Sequence, residues 1–207
     1  LKKCSSLKKI LKECRRVIVA FSGGVDSSFL LYMAYSVLGK ENVLAVTANS
    51  ETYPIKEMKD AVLFTEKFGI PHKIISTCEI REINEKGNPP NRCYYCKKEL
   101  FQKLRGMAEQ QDYYYVIEGS NKDDENDFRP GSKAIAELEI RSPLKEAELT
   151  KDEIRNLSRD LNLPYWDKPA FACLTSRFPY HIKIRRDILT KIEKAEEFIS
   201  SLGFRQC

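Results

Sequence analysis

The sequence lacks the features that mark several classes of protein. Its 207 residues contain no uncharged apolar run longer than a few residues, so we expect no membrane-spanning helix. No basic, apolar and small-residue leader precedes the first globular pattern, so we expect no signal peptide and a cytoplasmic location. There is neither an internal repeat nor a low-complexity tract. A charged fraction of 31% against 42% apolar residues is typical of a globular chain, not of a disordered or collagen-like one.

A net positive charge is found only at the N-terminus. The formal net charge is +5, but residues 1–16 carry an excess of +6 and the rest sums to −1. Because a nucleic-acid binder carries a basic surface through its folded body, we expect no nucleic-acid partner. Within the basic segment Leu7, Ile10, Leu11 and Cys14 fall at helical spacing. This pattern favours a packed helix with a solvated basic face over an RNA-binding arm.

Apolar runs alternate with helical periods along most of the chain. Five runs predict strands, at residues 17–21, 43–46, 72–75, 114–117 and 141–144. After residue 145 only helices are predicted, one behind a capping box formed by Thr150 and Glu153. Apolar stripes on two of the predicted helices consist of Ile55, Met58, Val62 and Thr65, and of Ile188, Ile192, Ala195, Ile199 and Leu202. This order predicts an α/β fold with a doubly wound parallel sheet and a small, mainly helical C-terminal part.

A glycine-rich loop lies directly between the first predicted strand and a helix. Its residues are Ser22, Gly23, Gly24, Val25, Asp26, Ser27 and Ser28. Two glycines allow a tight turn, and the first turn of the helix offers N–H groups and a favourable dipole to an anion. A carboxylate beside phosphates needs a divalent cation between them, so Asp26 implies Mg²⁺. The alternative without a function in binding is a Gly-Ser turn that holds no ligand.

The same loop lacks the lysine of a Walker motif and the spacing of a dinucleotide-binding motif. It resembles instead the PP-loop of the ATP pyrophosphatases, which include GMP and NAD synthetases, argininosuccinate synthetase and tRNA thiolases. The resemblance implies a Rossmann-like fold, cleavage of ATP between its α and β phosphates, adenylation of a substrate oxygen and release of pyrophosphate.

Four further stretches resemble one branch of that superfamily, the LarE family of ATP-dependent sulfur transferases, which build the nickel-pincer nucleotide cofactor. They are residues 88–97, residues 118–124 with 127–131, residues 141–144, and residues 166–177. The resemblance implies that residues 1–145 comprise the N-terminal helix and a PP-loop domain, and that residues 146–207 form a sulfur-transfer and substrate region. It also implies a further segment beyond Cys207 with basic residues that bind substrate phosphate.

Seven cysteines, an odd number without secretory features, indicate a reducing interior. Cys93 and Cys96 lie at the start of a predicted helix, where the dipole favours thiolates. Such a pair is compatible with a redox couple, half a zinc site, two ligands of an iron–sulfur cluster, or no role. By resemblance Cys173 is the sulfur-handling residue. Three cysteines imply a [4Fe-4S] cluster that carries transferable sulfide, and the alternative is a sacrificial Cys173 that becomes dehydroalanine.

Other polar residues are candidates for the substrate site. Asn121, Asp123 and Asp124 follow the fourth predicted strand, at the edge where open sheets bind ligands, and could hold Mg²⁺, orient the substrate or form a solvated turn. Arg129 and Arg177 are candidates to bind phosphate or carboxylate, with surface ion pairs as the alternative. Glu196, on the last helix, is a further candidate. His72 and His181 have no catalytic pattern.

The sequence therefore predicts an ATP-dependent sulfur insertase. By resemblance its substrate is a small-molecule nucleotide, pyridinium-3,5-biscarboxylic acid mononucleotide, one carboxylate of which is adenylated and then thiolated. We expect a homo-oligomer with a sulfide source and other cofactor-biosynthesis proteins as partners. The rival functions are a PP-loop amide synthetase, a tRNA thiolase, and a nucleotide- or metal-binding module without catalysis.

Overall fold

The computed structural model describes residues 2–126, 129–170 and 172–204. Within these ranges the strands are β1 Val17–Ala20, β2 Val43–Asn49, β3 His72–Ser76 and β4 Tyr115–Ile117. The helices are α1 Lys2–Cys14, α2 Val25–Leu38, α3 Ile55–Phe68, α4 Glu79–Glu85, α5 Arg92–Gln110, α6 Gly131–Glu137, α7 Pro143–Glu146, α8 Lys151–Asp160 and α9 Arg186–Ser201. Short 3-10 turns lie at Lys40–Asn42, Asp123–Asn126 and Leu174–Arg177.

The strands form one parallel sheet in the order β3-β2-β1-β4. Val17 on the central strand pairs with Val43 on one side and with Tyr115 on the other. Since parallel neighbours need crossover helices, both faces of the sheet are covered, and β1 is buried between them. The predicted doubly wound α/β fold is confirmed, and the loop after β1 emerges at the carboxyl edge of the sheet.

Separate apolar clusters cover the two faces. On one side Leu7, Leu11 and Phe29 from α1 and α2 pack with Val17 and Val19 of β1. On the other side α5 packs through Phe101 and Leu104 against Ile18 and Val46. The N-terminal helix is therefore part of the core, as its apolar stripe predicts, and its lysines remain on the outer side.

The predicted fifth strand at residues 141–144 is wrong. Only an isolated parallel bridge joins Ile117 to Arg141, and α7 begins at Pro143. Proline has no N–H to donate to a sheet and its fixed φ suits the first turn of a helix, so the chain turns away after one bridge.

Two predicted apolar faces also differ from the structure. The buried side of α3 is formed by Glu57, Ala61, Phe64 and Thr65, whereas Ile55 is exposed. The stripe is rotated because Glu57 is an ion-pair partner in the interior, as described below. On α9 only Leu189 is buried, and Ile199 and Leu202 are exposed.

A third apolar cluster attaches the C-terminal part to the rest of the chain. Leu174, Phe178, Ile184 and Leu189 pack with Ile80 and Ile83 of α4.

Helix α8 begins with the predicted capping box, in which Thr150 and Glu153 each bond the other's backbone N–H. The boundary at residues 145–146 stays a prediction. No helix in the described part of the chain is long and apolar enough to cross a membrane.

Candidate active site

The glycine-rich loop has the predicted strand–loop–helix setting. Gly23 has φ +66°, in the left-handed region that favours glycine. A Cβ there would lie 3.2 Å from the Glu57 carbonyl oxygen and 3.3 Å from Ala61 Cβ, both on α3. The loop is therefore pressed against the start of α3, and both its conformation and its surroundings require glycine.

Serine hydroxyls hold the loop from within. Ser27 Oγ donates to the Gly24 carbonyl at 3.1 Å, accepts from the Ser22 N–H at 3.3 Å, and lies 3.0 Å from Ser22 Oγ. Ser28 Oγ is buried and has no hydrogen-bond partner among the described residues. The N-terminus of α2 follows directly, and its dipole favours an anion at this point.

Asp26 is the charged residue of the loop. Its Oδ2 accepts from Lys151 Nζ at 2.6 Å, while Oδ1 is buried and lacks a hydrogen-bond partner within the described chain. Burial raises the pKa of this carboxyl above its usual value; Lys151 opposes the shift and Asp124 adds to it. The local environment therefore supplies less positive charge than the carboxylate needs.

A magnesium ion fits this arrangement. Mg²⁺ binds hard oxygen ligands, and in nucleotide sites it is held by one or two carboxylates together with phosphate oxygens. Asp26 offers a carboxylate oxygen with no present partner, and Asp124 is close enough to affect its pKa. No group of three or more ligand side chains is preformed in the described ranges, which is compatible with a metal that arrives with ATP.

The turn after β4 lies at the same edge, as predicted. Asn121 is buried, and its Oδ1 accepts from the Asp123 N–H at 2.9 Å. Asp123 Oδ2 accepts from the backbone N–H of Lys151 at 2.8 Å, and Asp124 Oδ2 accepts from the Asn121 N–H at 3.0 Å. Arg129 forms an ion pair with Asp124 at 2.7 Å. An ion pair was the alternative to phosphate or carboxylate binding for this residue. Asp127 and Phe128 of this motif lie outside the described residues.

Glu118 is a site residue that the sequence analysis did not single out. It is buried directly after β4, accepts from Ser142 Oγ at 2.5 Å and from Ser120 Oγ at 2.9 Å, and lies 3.8 Å from Lys97 Nζ. The next residue, Gly119, passes so close to the loop that a Cβ would lie 3.0 Å from Ser27 N. A carboxylate at the end of an apolar strand is the signal that could have identified it.

The structure brings the three candidate cysteines near one another. Cys93 and Cys96 lie in the first turns of α5, and Cys173 precedes the turn at Leu174–Arg177, with its Sγ 2.9 Å from Thr175 Oγ1. Cys173 raises the pKa of both other thiols, so all three interact electrostatically.

The prediction that the helix start favours thiolates is wrong for this structure. Desolvation is the main cause that raises the pKa of the half-buried Cys96, and it raises the pKa of Cys93 as well, although Cys93 is exposed at the surface. Glu79 is the strongest charged contributor to the shift at Cys96. The Glu79 side chain is itself buried, with Oε2 unpartnered among the described atoms. Nearby cations act on Cys93, but they do not overcome desolvation.

An iron–sulfur cluster fits the donor types at this centre. Thiol sulfurs are suitable ligands, and metal binding would remove the protons that the raised pKa values of Cys93 and Cys96 retain. No group of three or more metal-ligand side chains is preformed within the described residues, so ligation would require the three thiols to come closer together.

A cavity of about 690 Å³ lies next to the Cys173 segment. It is lined by residues of α3 and α9, by residues of 165–170, and by Arg177 of the turn at Leu174–Arg177. The side chains of Arg177 and Glu196, which both line it, form an ion pair at 2.6 Å. Lys168 also lines it and was not singled out from the sequence. Its Nζ lies 2.9 Å from Glu57 Oε1 and 2.6 Å from Asp60 Oδ2.

The remaining cysteines lie elsewhere. Cys14 is buried on α1, where it accepts from Arg141 at 3.2 Å, and burial raises its pKa to about 11. Cys4 packs against the same core and Cys78 is exposed. Cys207, and Phe171 of the cysteine motif, lie outside the described residues. His72 is half-buried between two threonines and His181 is exposed.

Comparisons with known proteins show the family and the fold of the chain. The NAD synthase family model matches residues 2–121. The chain is 43% identical over 204 residues to an uncharacterised protein of Synechocystis and covers 76% of it. It is 39% identical over 202 residues to the pyridinium-3,5-bisthiocarboxylic acid mononucleotide synthase of Lactiplantibacillus plantarum, covering 98% of this chain and 73% of that one. An NH3-dependent NAD synthetase structure from Campylobacter jejuni superposes with a TM-score of 0.61 at 19% identity, over 98% of this chain and 82% of that one, which supports the fold.

Proposed function

Because this chain belongs to the LarE family of ATP-dependent sulfur transferases, within the PP-loop ATP pyrophosphatases, we propose that it thiolates a carboxylate of pyridinium-3,5-biscarboxylic acid mononucleotide. The relative from L. plantarum is named for the bisthiocarboxylic acid form of that nucleotide. The observation that supports the proposal best is the presence, in one molecule, of a phosphate loop with Asp26 and three mutually interacting thiols.

The first step is activation of the acceptor. ATP binds with its phosphates at residues 22–28, and Asp26 holds the accompanying Mg²⁺. A carboxylate oxygen of the acceptor attacks the α phosphorus, the bond from that phosphorus to the bridging oxygen breaks, and pyrophosphate leaves. The product is an acyl adenylate. Lys151, beside Asp26, and the N-terminus of α2 stabilise negative charge that develops on the phosphoryl oxygens, which is usually the largest catalytic contribution.

The second step replaces oxygen by sulfur. Cys93, Cys96 and Cys173 would hold a [4Fe-4S] cluster, which would supply the sulfide. The sulfur forms a bond to the carbonyl carbon of the adenylate, the bond from that carbon to the AMP oxygen breaks, and a thiocarboxylate remains. Adenylation is needed because oxide is a poor leaving group and AMP is a good one.

The acceptor occupies the cavity beside the Cys173 segment. Arg177 lines this cavity and is suited to bind a phosphate or carboxylate, with Glu196 as its present partner. Asn121, Asp123, Asp124 and Arg129 border the nucleotide side of the centre and orient substrate or Mg²⁺ there. These assignments account for both halves of the reaction with residues on neighbouring elements.

The test is a single-turnover reaction with anaerobically prepared protein, with iron and acid-labile sulfide analysis before it and intact mass afterwards. We expect iron and sulfide to co-purify and the mass of the polypeptide to stay unchanged. The C173A, C93A and C96A variants should each lose thiolation and iron. Loss of one sulfur's mass from the polypeptide would replace the cluster with a sacrificial Cys173. Turnover with ammonia by C173A would instead indicate an amide synthetase.

A further inference from the structure

Two consecutive residues just before α3 contact the two halves of the site. The Thr52 carbonyl accepts a hydrogen bond from the Leu174 N–H at 3.1 Å, directly after Cys173. The hydroxyl of its neighbour, Tyr53, donates to the Ser22 carbonyl, at the first residue of the phosphate loop. One peptide unit therefore joins the two hydrogen bonds.

A second connection runs through the first turns of α3. Glu57 and Ala61 leave no room for a side chain at Gly23 of the loop. From the same helix Glu57 and Asp60 accept from Lys168, which lies five residues before Cys173. The side chains of Lys168, Glu57 and Asp60 are 12%, 8% and 15% exposed, so this contact is nearly closed to water.

Electrostatic interactions stabilise these contacts. The Lys168 ammonium pairs with the carboxylates of Glu57 and Asp60 at a largely buried position. Removing it would leave both carboxylates without a cation. Tyr53 lies beside the same carboxylates, which, after burial itself, raise the pKa of its hydroxyl. Tyr53 is therefore a neutral donor at neutral pH, and its bond to Ser22 does not depend on pH in the working range.

We propose that Tyr53 and Lys168 are positioning residues that couple nucleotide binding at loop 22–28 to the placement of the Cys173 segment. The proposal rests on the proposed function for the assignment of ATP to the loop. Tyr53 connects Ser22 to the start of α3. Lys168 connects α3 to the part of the chain that leads to Cys173. Ordering the loop around phosphates therefore orders the segment that carries Cys173. By thermodynamic linkage, the same residues strengthen nucleotide binding when that segment is in place.

The test is hydrogen exchange of the full chain, measured by mass spectrometry on the peptide that contains the Leu174 amide. The probe is Mg²⁺ with α,β-methylene-ATP. This analogue has a methylene group in place of the oxygen between the α and β phosphorus atoms, so it cannot be cleaved there. At saturating probe we expect exchange in this peptide to slow by ~5-fold or more, the lower end of ordinary couplings. A peptide from α1 provides the internal reference.

Y53F removes the hydroxyl that reaches Ser22 and leaves the ring in place. We expect the slowing to disappear in Y53F, and its probe Kd, measured by calorimetry, to rise by the same factor. Y35F is the matched control, because Tyr35 donates instead to Gly69, away from both loops. It should keep the wild-type response. K168M should behave as Y53F does, and K168R should recover part of the effect if the ion pair matters.

The outcomes distinguish failure of the coupling from failure of the proposed function. If the wild type binds the probe but Leu174 exchange does not change, or changes equally in Y53F and K168M, the coupling is refuted while the proposed function stands. If the wild type binds no probe, the proposed function and the coupling both fail. If K168M does not fold, Y53F still decides.

Discussion

Lys151 Nζ lies 2.6 Å from Asp26 Oδ2, although the two residues are separated by 125 positions. The pair joins the start of α8 to the phosphate loop and places a cation beside the expected position of the ATP phosphates. The other Asp26 oxygen has no partner among the described residues, and burial raises the pKa of the carboxyl. A carboxylate kept partly unsatisfied is suited to receive a metal ion.

D26N is therefore expected to be more stable and much less active. Because the folded-state pKa is raised, the ionised carboxylate lowers stability once the pH exceeds the pKa of the unfolded chain. Urea denaturation should show D26N more stable than the wild type at neutral pH, with the difference shrinking as the pH falls and the carboxyl is protonated. Pyrophosphate release should fall by ~10²-fold or more. D152N, an exposed carboxylate on α8, should leave pyrophosphate release unchanged.

G23A is expected to damage both stability and nucleotide binding. Alanine at φ +66° is strained, and its Cβ would press on the Glu57 carbonyl and on Ala61. We expect a loss of ~1–3 kcal/mol in the free energy of unfolding and weaker ATP binding.

G69A is the control for this variant, because Gly69 has nearly the same φ, +63°, with open space around it. It should show the backbone strain alone and leave ATP binding unchanged. Equal losses of ATP binding in the two variants would contradict the close packing of the loop on α3.

E79Q is expected to make Cys96 more reactive. Glu79 is the largest charged contributor that raises the pKa of Cys96, so removing its charge lowers that pKa. In metal-free protein at mildly alkaline pH, iodoacetamide should modify Cys96 faster in E79Q than in the wild type, as peptide mapping can measure. E85Q, an exposed change on the same helix, should not alter the rate. An unchanged rate in E79Q would argue against the described placement of Glu79.

His72 is expected to make the fold sensitive to mild acid. Its ring lies 2.8 Å from Thr47 Oγ1 and 3.1 Å from Thr65 Oγ1, and burial lowers its pKa. The unfolded chain therefore takes up a proton more readily than the folded one, so stability falls as the pH drops below about 6.5, the ordinary value.

The measurement is the free energy of unfolding in urea at pH 7.5 and pH 5.5 for the wild type, H72Q and H181N. H72Q should show a smaller decrease between the two pH values than the wild type. H181N alters an exposed ring and should keep the wild-type decrease. A full decrease in H72Q would assign the acid sensitivity to other groups.

Local patterns were enough to predict the sheet and the phosphate loop. The strand at 17–20, the glycines after it and the box at Thr150–Glu153 are determined mainly by neighbours in sequence. The prediction of a strand at 141–144 is wrong because Arg141 forms a single bridge and the chain then continues as a helix from Pro143.

The charged parts of the site depend on distant partners and could not be predicted in the same way. Lys168 and Asp60 are separated by 108 positions, and nothing in either local sequence indicates the other. Lys168 also pairs with Glu57, which α3 buries together with Thr65 of the predicted stripe, whereas Ile55 is exposed. The raised pKa of Cys96 likewise follows from desolvation and from the charge of Glu79, neither of which a helix-start argument includes.

The central claim is that ATP cleavage and sulfur insertion are two steps of one reaction on a carboxylate. The most direct measurement is the molar ratio of AMP to thiocarboxylate in a single turnover with ATP, Mg²⁺ and pyridinium-3,5-biscarboxylic acid mononucleotide, by chromatography and mass spectrometry. We predict one AMP and one pyrophosphate for each sulfur inserted, with no thiocarboxylate from C173A. Sulfur insertion without AMP, or full insertion by C173A, would contradict the account.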